Sequence, residues 1–275
     1  MQMLKTSLAV AALLVAGASV AAPVVYNTSL ANISTFDTVI TGTGATVITA
    51  AVSDSNPTGN VYSYIDAGGN NATVTVTRTG TGAAASTSGG YSSNGIDLSG
   101  DVWSINPVSG TAGGGVGGLP NIDGYGSGLT FTFSSAVNAF GFEIGDWATC
   151  CYVPTVLRSA AVQAAYSVPS TGSGLWIAFD GGAATLPANA LTANDNPGVA
   201  ASGSYTNFIG AIDSSSTFSK VTFWGDGYGE FLVAGGTMRF ASVPKGSVGL
   251  PEPGSLALVG LALAGLAAAS RRKSV

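Results

Sequence analysis

The segment at residues 129–133 reads Leu-Thr-Phe-Thr-Phe and alternates apolar and polar side chains without interruption. A period of two is the pattern of a β-strand that turns one face toward a core and the other toward solvent. Residues 72–77, Ala-Thr-Val-Thr-Val-Thr, repeat the pattern with valines on one face and threonines on the other. These two stretches predict strands of a sheet that is buried on one side.

Further short β-like runs recur between turn signals along the middle of the chain. They cover residues 36–40, 45–52, 61–65, 72–78, 129–133, 137–144, 175–179, 205–212, 218–224 and 237–243. Glycine-rich or Ser/Asn-rich segments at 53–59, 80–90 and 110–128 are predicted turns or loops. No stretch between the two ends sustains helical periodicity for twelve residues. The pattern predicts an all-β fold, a single antiparallel β-sandwich of jelly-roll type over residues 22–243.

The composition excludes several classes of function. The 275 residues include no His, 2 Cys, 9 Lys and Arg and 14 Asp and Glu, with a net charge of −5. A chain without histidine has no Ser-His-Asp or Cys-His nucleophile and no His-ligated metal site. So few cations leave no basic surface for nucleic acid. The sequence has no nucleophile-elbow motif, no phosphate-loop motif and no G-x-G-x-x-G after a predicted strand, so we expect a protein that is not an enzyme.

The first 21 residues have the three parts of a secretory signal peptide. Lys5 supplies the positive charge, residues 8–15 are apolar, and the small residues Ser19 and Ala21 suit the −3 and −1 positions of a cleavage site. We expect export by the Sec machinery and cleavage by signal peptidase after Ala21.

The last 25 residues have a different three-part order. Pro251, Glu252 and Pro253 precede an apolar run at 256–269, and Arg271, Arg272 and Lys273 follow it. The 14 apolar residues span roughly 21 Å as a helix, against about 30 Å of hydrocarbon in a bilayer. Because the cations lie only at the far end, the positive-inside rule keeps that end in the cytoplasm. The pattern predicts a single C-terminal transmembrane helix.

This tail resembles the PEP-CTERM sorting signal of Gram-negative bacteria, which has a Pro-Glu-Pro motif, a short apolar helix and a basic cluster. The resemblance covers residues 251–275 and implies a substrate of exosortase, a membrane-embedded protease that processes the tail near the motif. It also implies a link to exopolysaccharide and biofilm. Prolines on both sides of Glu252 hold the backbone extended, and residues 244–250 are expected to form an accessible linker. Residues 125–243 resemble, in their apolar positions, the extracellular sandwich domain found upstream of such tails.

Four carboxylates lie at or just beyond predicted strand ends and are candidates for glycan or cation contacts: Glu143, Asp146, Asp226 and Glu230. If the two strand ends were neighbours, these groups could bind Ca²⁺ or supply the acid and base of glycoside hydrolysis. The alternative is that they are ordinary acids of turns and of the surface.

Trp147, Tyr152 and Tyr228 are candidates for stacking on sugar rings, because the Gly, Cys and Pro residues around them indicate loops. Trp176 lies between two aliphatic residues and is expected to be buried. Cys150 and Cys151, the only cysteines, are candidates for a strained adjacent disulfide or for pairing with another chain.

Three functions therefore remain open. The first is an exported, non-enzymatic protein, anchored in the inner membrane as a precursor and then sorted to the cell envelope or the extracellular matrix. The second is a carbohydrate-binding module for exopolysaccharide, with Ca²⁺ as a candidate ligand. The third is a glycoside hydrolase that uses Glu143 or Glu230.

Overall fold

The computed structural model describes residues 23–79, 82–93, 95–105, 128–147, 158, 160–191, 195, 206–225 and 232–248. In chain order its strands are β1 (Val24–Thr28), β2 (Ile48–Ala51), β3 (Val61–Ile65), β4 (Asn71–Arg78), β5 (Thr87–Ser88), β6 (Ser92–Ser93), β7 (Ile96–Asp97), β8 (Val102–Ile105), β9 (Gly128–Val137), β10 (Ala139–Asp146), β11 (Ser173–Phe179), β12 (Thr185–Ala190), β13 (Phe208–Ile212), β14 (Phe218–Gly225) and β15 (Leu232–Ala241). A 3-10 turn at Leu30–Asn32 leads into helix α1 (Ile33–Gly42), and α2 is a short helix at Ala160–Tyr166.

The described strands form two large antiparallel sheets. One has seven strands in the order β1-β13-β10-β15-β8-β5, with β2 also paired to β15. The other has six strands in the order β12-β11-β14-β9-β4-β3, and β6 and β7 form a separate small ladder. The all-β prediction is confirmed.

The core lies between the two sheets and is rich in aromatic rings. Phe131 and Phe133 of β9 in the six-stranded sheet meet Phe140 of β10 in the seven-stranded sheet, with ring centroids 4.9 and 5.0 Å apart. Phe131 also lies 4.9 Å from Phe142. Each fully buried phenylalanine contributes about 1.5–3 kcal/mol relative to an exposed one. The alternation at 129–133 thus places its phenylalanines where the two sheets meet.

A single residue, Asn138, separates β9 from β10, so the chain passes directly from one sheet to the other. Nearly every residue of β10 is buried, because both faces of this strand are covered. Its outer face lies under aromatic rings: a Cβ at Gly141 would meet the Phe208 ring at 2.5 Å, and one at Gly210 would meet Phe36 at 2.7 Å. Glycine at these positions lets helix α1 lie close to the sheet.

The predicted strand at residues 36–40 is wrong, because these residues belong to α1. Ile33, Phe36 and Ile40 recur at helical spacing, and Phe36 and Ile40 are buried against the outer face of the seven-stranded sheet. The helix is only ten residues long, so its periodicity is shorter than the twelve residues that indicate a helix in the sequence. The other predicted runs all overlap observed strands, while β1, β8, β12 and the two-residue strands β5, β6 and β7 were not predicted, and β5 falls within the predicted loop at 80–90.

The outer face of the six-stranded sheet carries two different surfaces. At one side Trp176 of β11 and Trp224 of β14 stack with centroids 6.4 Å apart, and Tyr166 of α2 packs edge-on against Trp176. The expected burial of Trp176 is confirmed. Toward β4 and β9 the outward side chains are threonines, which remain partly or fully exposed.

Candidate functional site

Glu143 is a buried carboxylate on the outer face of β10. Its side chain is only 3% exposed. The backbone N–H of Ser99 donates to Oε2 at 2.8 Å, and the Ser99 hydroxyl donates to Oε1 at 2.6 Å. Both carboxylate oxygens therefore accept hydrogen bonds from the segment between β7 and β8.

Arg239 of β15 supplies the opposite charge. Its Nη1 lies 3.6 Å from Glu143 Oε1, and its Nε lies 3.3 Å from Oδ1 of Asp37 on helix α1. Gly236, with a φ of +58°, makes room for the carboxylate, since a Cβ there would lie 2.3 Å from Oε2. These contacts tie two strands, a loop and a helix together. The sequence did not indicate them, because the partners are far apart along the chain.

Trp147 is also buried, contrary to the loop position expected from its neighbours. The side chain packs into the core between the sheets, and its indole N–H donates to the carbonyl of Thr206 at 2.8 Å. Strand β10 continues through Asp146, so Trp147 follows a strand directly rather than standing in an open loop. The ring face is therefore not offered to a sugar in this arrangement.

The remaining candidate residues lie outside the described residues. They are Cys150, Cys151, Tyr152, Asp226, Tyr228, Glu230, the motif at Pro251, Glu252 and Pro253, and the basic cluster at Arg271, Arg272 and Lys273. Glu143 and Asp146 lie on β10, whereas residues 226 and 230 fall in the connection between β14 of the six-stranded sheet and β15, the strand that pairs with β10.

Within the described ranges no group of three or more His, Cys, Asp or Glu side chains is placed to hold a metal ion. The same part of the chain contains no helix long and apolar enough to cross a membrane. The predicted helix at 256–269 lies outside it.

A groove of about 460 Å³ opens between the ends of β3 and β15. Tyr64 and Phe240 stack there with centroids 4.9 Å apart, and Ile65 at its rim is 47% exposed. Desolvation by burial raises the pKa of Tyr64, whose hydroxyl donates to the Ser135 carbonyl. The groove joins residues from both sheets, so no local pattern could have predicted it.

Asp66, also at this groove, is held by a compact set of hydrogen bonds. Its Oδ1 accepts from the N–H groups of Asn70 at 2.8 Å and Gly68 at 2.9 Å, and Oδ2 accepts from the Ser135 hydroxyl at 2.9 Å. Hydrogen bonds from the Asn70 backbone and the Ser135 hydroxyl, the two largest causes, lower the pKa of this carboxyl. The geometry is that of a turn closed by its own carboxylate.

The open part of the six-stranded sheet presents hydroxyl groups in register. Thr75 of β4 pairs with Thr132 of β9, and Thr77 pairs with Thr130. Facing threonines on neighbouring strands stabilise an antiparallel pair. They also leave a surface of hydroxyl and methyl groups.

The end of the described chain is docked onto the folded body. Residues 244–250 were expected to form an accessible linker, but Val248 packs against the cluster that contains Phe36 and Ile40. The hydroxyl of Ser214 donates to the Val248 carbonyl at 3.0 Å, and the N–H of Gly246 donates to the Ser214 carbonyl at 2.7 Å. Residues 244–247 are exposed, as expected of an accessible linker, whereas Val248 is buried.

The comparisons with known proteins bear on the segment that follows. A PEP-CTERM protein-sorting motif matches residues 250–273. No curated protein and no solved structure matches the chain significantly. The chain thus carries a PEP-CTERM sorting signal, as the resemblance of its tail indicated, and this signal implies an exported protein that is processed at a membrane by exosortase.

Proposed function

We propose that this protein is a non-enzymatic component of the cell envelope or extracellular matrix, delivered there by its sorting signal. The observation that carries the proposal is the PEP-CTERM motif at 250–273, which begins two residues after the docked Val248. The two sheets, with their shared aromatic core, would form a jelly-roll-type sandwich that serves as the exported cargo.

The proposed route uses both ends of the chain. The signal peptide at 1–21 directs Sec export, and the apolar segment at 256–269 with its basic cluster holds the precursor in the inner membrane. Exosortase then acts near Pro251, Glu252 and Pro253, and the body is released to the envelope or matrix. An association with exopolysaccharide belongs to this proposal.

The absence of an enzymatic role is part of the proposal and is supported by the state of Glu143. A general acid or base must reach the substrate proton, at about 2.6–3.2 Å or through one water. Glu143 instead bonds to Ser99 and faces Arg239, and it is buried. Its contacts favour a role in holding the sheet to its neighbours.

The experiment follows the full-length, epitope-tagged chain in a host that carries an exosortase. Pulse labelling should reveal a precursor that is converted to a shorter product. Replacing Pro251, Glu252 and Pro253 with alanine should leave the precursor unprocessed in the membrane fraction, because the recognition segment is lost. A matched control replaces Ser247 with Ala, just upstream. If the motif variant is processed and sorted like the wild type, the proposal is wrong.

A carbohydrate-binding role is a second proposal, and the hydroxyl surface on β4 and β9 favours it. The surface offers threonine hydroxyl groups, and the exposed Lys220 of β14 lies opposite Thr132, so it suits a polyhydroxyl polymer that is neutral or carries negative charge. The test is a pull-down with exopolysaccharide of the producing strain, with and without a Ca²⁺ chelator. Thr75→Val with Thr132→Val should reduce saturable binding, while Thr49→Val on the other sheet should not. Equal binding by all variants, or none by the wild type, would reject this role for the surface.

A further inference from the structure

The segment after β15 is held by two buried polar side chains from different loops. The side chain of Asn138 makes two hydrogen bonds to the backbone of Val243: its Nδ2 donates to the Val243 carbonyl at 2.8 Å, and its Oδ1 accepts from the Val243 N–H at 2.7 Å. Ser214 holds the next stretch through Gly246 and Val248. Two successive sets of hydrogen bonds, one to Asn138 and one to Ser214, therefore hold residues 243–248 against the folded body.

The chain after Val243 is more open to solvent than Val243 itself, because residues 244–247 are all exposed whereas Val243 is buried. Beyond Val243, two hydrogen bonds to Ser214 and the packing of the Val248 side chain hold the chain. Lys245 and Gly246 between them are exposed, and a turn from the Ser247 N–H to the Pro244 carbonyl closes the loop at 3.1 Å. The stretch at 244–248 can thus undock while Asn138 keeps Val243 in place. We call residues 244–248 the strap.

The strap determines how far the sorting motif stands from the folded body. Two residues, Gly249 and Leu250, separate Val248 from Pro251, so the three steps between their Cα atoms span about 10 Å in an extended chain. A protease that binds about six residues of extended peptide occupies roughly 20 Å of chain. When the strap is docked, the folded body lies closer to the motif than these roughly 20 Å, so it occupies part of the chain length that the protease needs. Undocking back to Val243 frees five more residues, or about 17 Å.

We propose that undocking of the strap from Ser214 precedes processing of the sorting motif, so that the folded body controls access to its own signal. This inference rests on the proposed function, since it concerns the regulation of the same processing step. The docked strap keeps the precursor intact, and the rate of processing follows the fraction of time that the strap is open.

The test compares the full-length wild type with four full-length variants in the exosortase host by pulse labelling. Ser214→Ala removes the hydrogen bond to the Val248 carbonyl and keeps the backbone carbonyl that accepts from Gly246. Ser216→Ala, an exposed serine of the same loop, is the matched control. A third chain has six Gly/Ser residues inserted after Val248, and the fourth combines the insertion with Ser214→Ala.

Loss of one hydrogen bond should raise the open fraction, and with it the rate of processing, about five- to tenfold in Ser214→Ala. The insertion supplies reach without undocking, so it should raise the rate as well. Ser214→Ala should then add nothing in the inserted chain, and Ser216→Ala should match the wild type.

Amide hydrogen exchange on the detergent-solubilised full chain gives a second readout. The N–H of Gly246 should exchange faster in Ser214→Ala, while amides of β9 and β10 keep their protection, which shows that the variant is folded. An unchanged Gly246 amide would overturn the proposal, as would Ser214→Ala processing at the wild-type rate. A wild-type chain that is never processed would instead contradict the proposed function itself.

Discussion

The core between the sheets and the cluster that holds the strap are both apolar, yet they are built differently. In the core, the single side chain of Phe131 contacts three other rings, those of Trp103, Phe140 and Phe142. In the cluster, Val248 packs in the same group of buried residues as Phe36 and Ile40, and its backbone carbonyl accepts a hydrogen bond from one hydroxyl, that of Ser214. A side chain that packs against many partners becomes exposed only when the whole fold opens, whereas one with few partners can become exposed by local unfolding. The comparison predicts a stable body with a separable end.

The largest effect is expected from Phe131→Ala. The change removes a fully buried ring and leaves a cavity between the sheets, so the free energy of unfolding should fall by about 3–5 kcal/mol. Guanidinium denaturation followed by tryptophan fluorescence measures it. Thr132→Ala, the exposed neighbour on β9, should change stability by about 0.5 kcal/mol or less. Equal losses for the two variants would contradict the proposed inter-sheet core.

Glu143→Ala should be nearly as damaging. It leaves the guanidinium of Arg239 without its buried partner and the Ser99 N–H without its acceptor, and removing one member of a buried pair costs about 3–5 kcal/mol. Thermal and guanidinium unfolding report the loss. Asp97→Ala, on the exposed face of β7, is the control and should cost about 0.5 kcal/mol or less. A Glu143→Ala protein as stable as the control would mean that the carboxylate is not needed for packing and is available for another role.

Val248→Ala should have a much smaller global effect, on the order of 1 kcal/mol, because it removes two methyl groups at the edge of the fold. The local effect should be larger than the global one, since the Gly246 amide would exchange faster while the sheets remain protected. Lys245→Ala, exposed in the same strap, should change neither. If Val248→Ala lowered the stability of the sheets as much as Phe131→Ala, the strap would be part of the core and the distinction would disappear.

The smallest expected effect is a pH dependence of the free energy of unfolding that comes from two tyrosines and is absent near neutral pH. Desolvation by burial raises the pKa of Tyr62 and Tyr64 above the ordinary 10.0. A group with a raised folded pKa contributes full stability below the unfolded value and loses it as pH rises through the folded value. The free energy of unfolding should therefore decline above pH 10. The decline should be shallower in Tyr62→Phe and Tyr64→Phe, and an unchanged slope in both would reject these tyrosines as the cause.

Local patterns predicted the features that depend on near neighbours. The alternation at 129–133 placed Leu129, Phe131 and Phe133 on one face, and all three are buried. The same reasoning failed at 36–40, because so few apolar residues fit a short helix as well as a strand. It also failed at Trp147, because flanking residues typical of loops do not show which strand end packs into the core.

By itself, the sequence determined the all-β class, the absence of histidine chemistry and the sorting signal at the C-terminus, since each of these follows from composition or from residues that adjoin one another. The tertiary structure alone decided that Glu143 is enclosed, that Arg239 bridges a strand to helix α1, and that Asn138 and Ser214 hold the strap. These contacts join groups as far as 202 residues apart, as between Asp37 and Arg239. A strand pattern specifies which face a side chain takes, and only the packing of the sheets selects the distant group that it meets there.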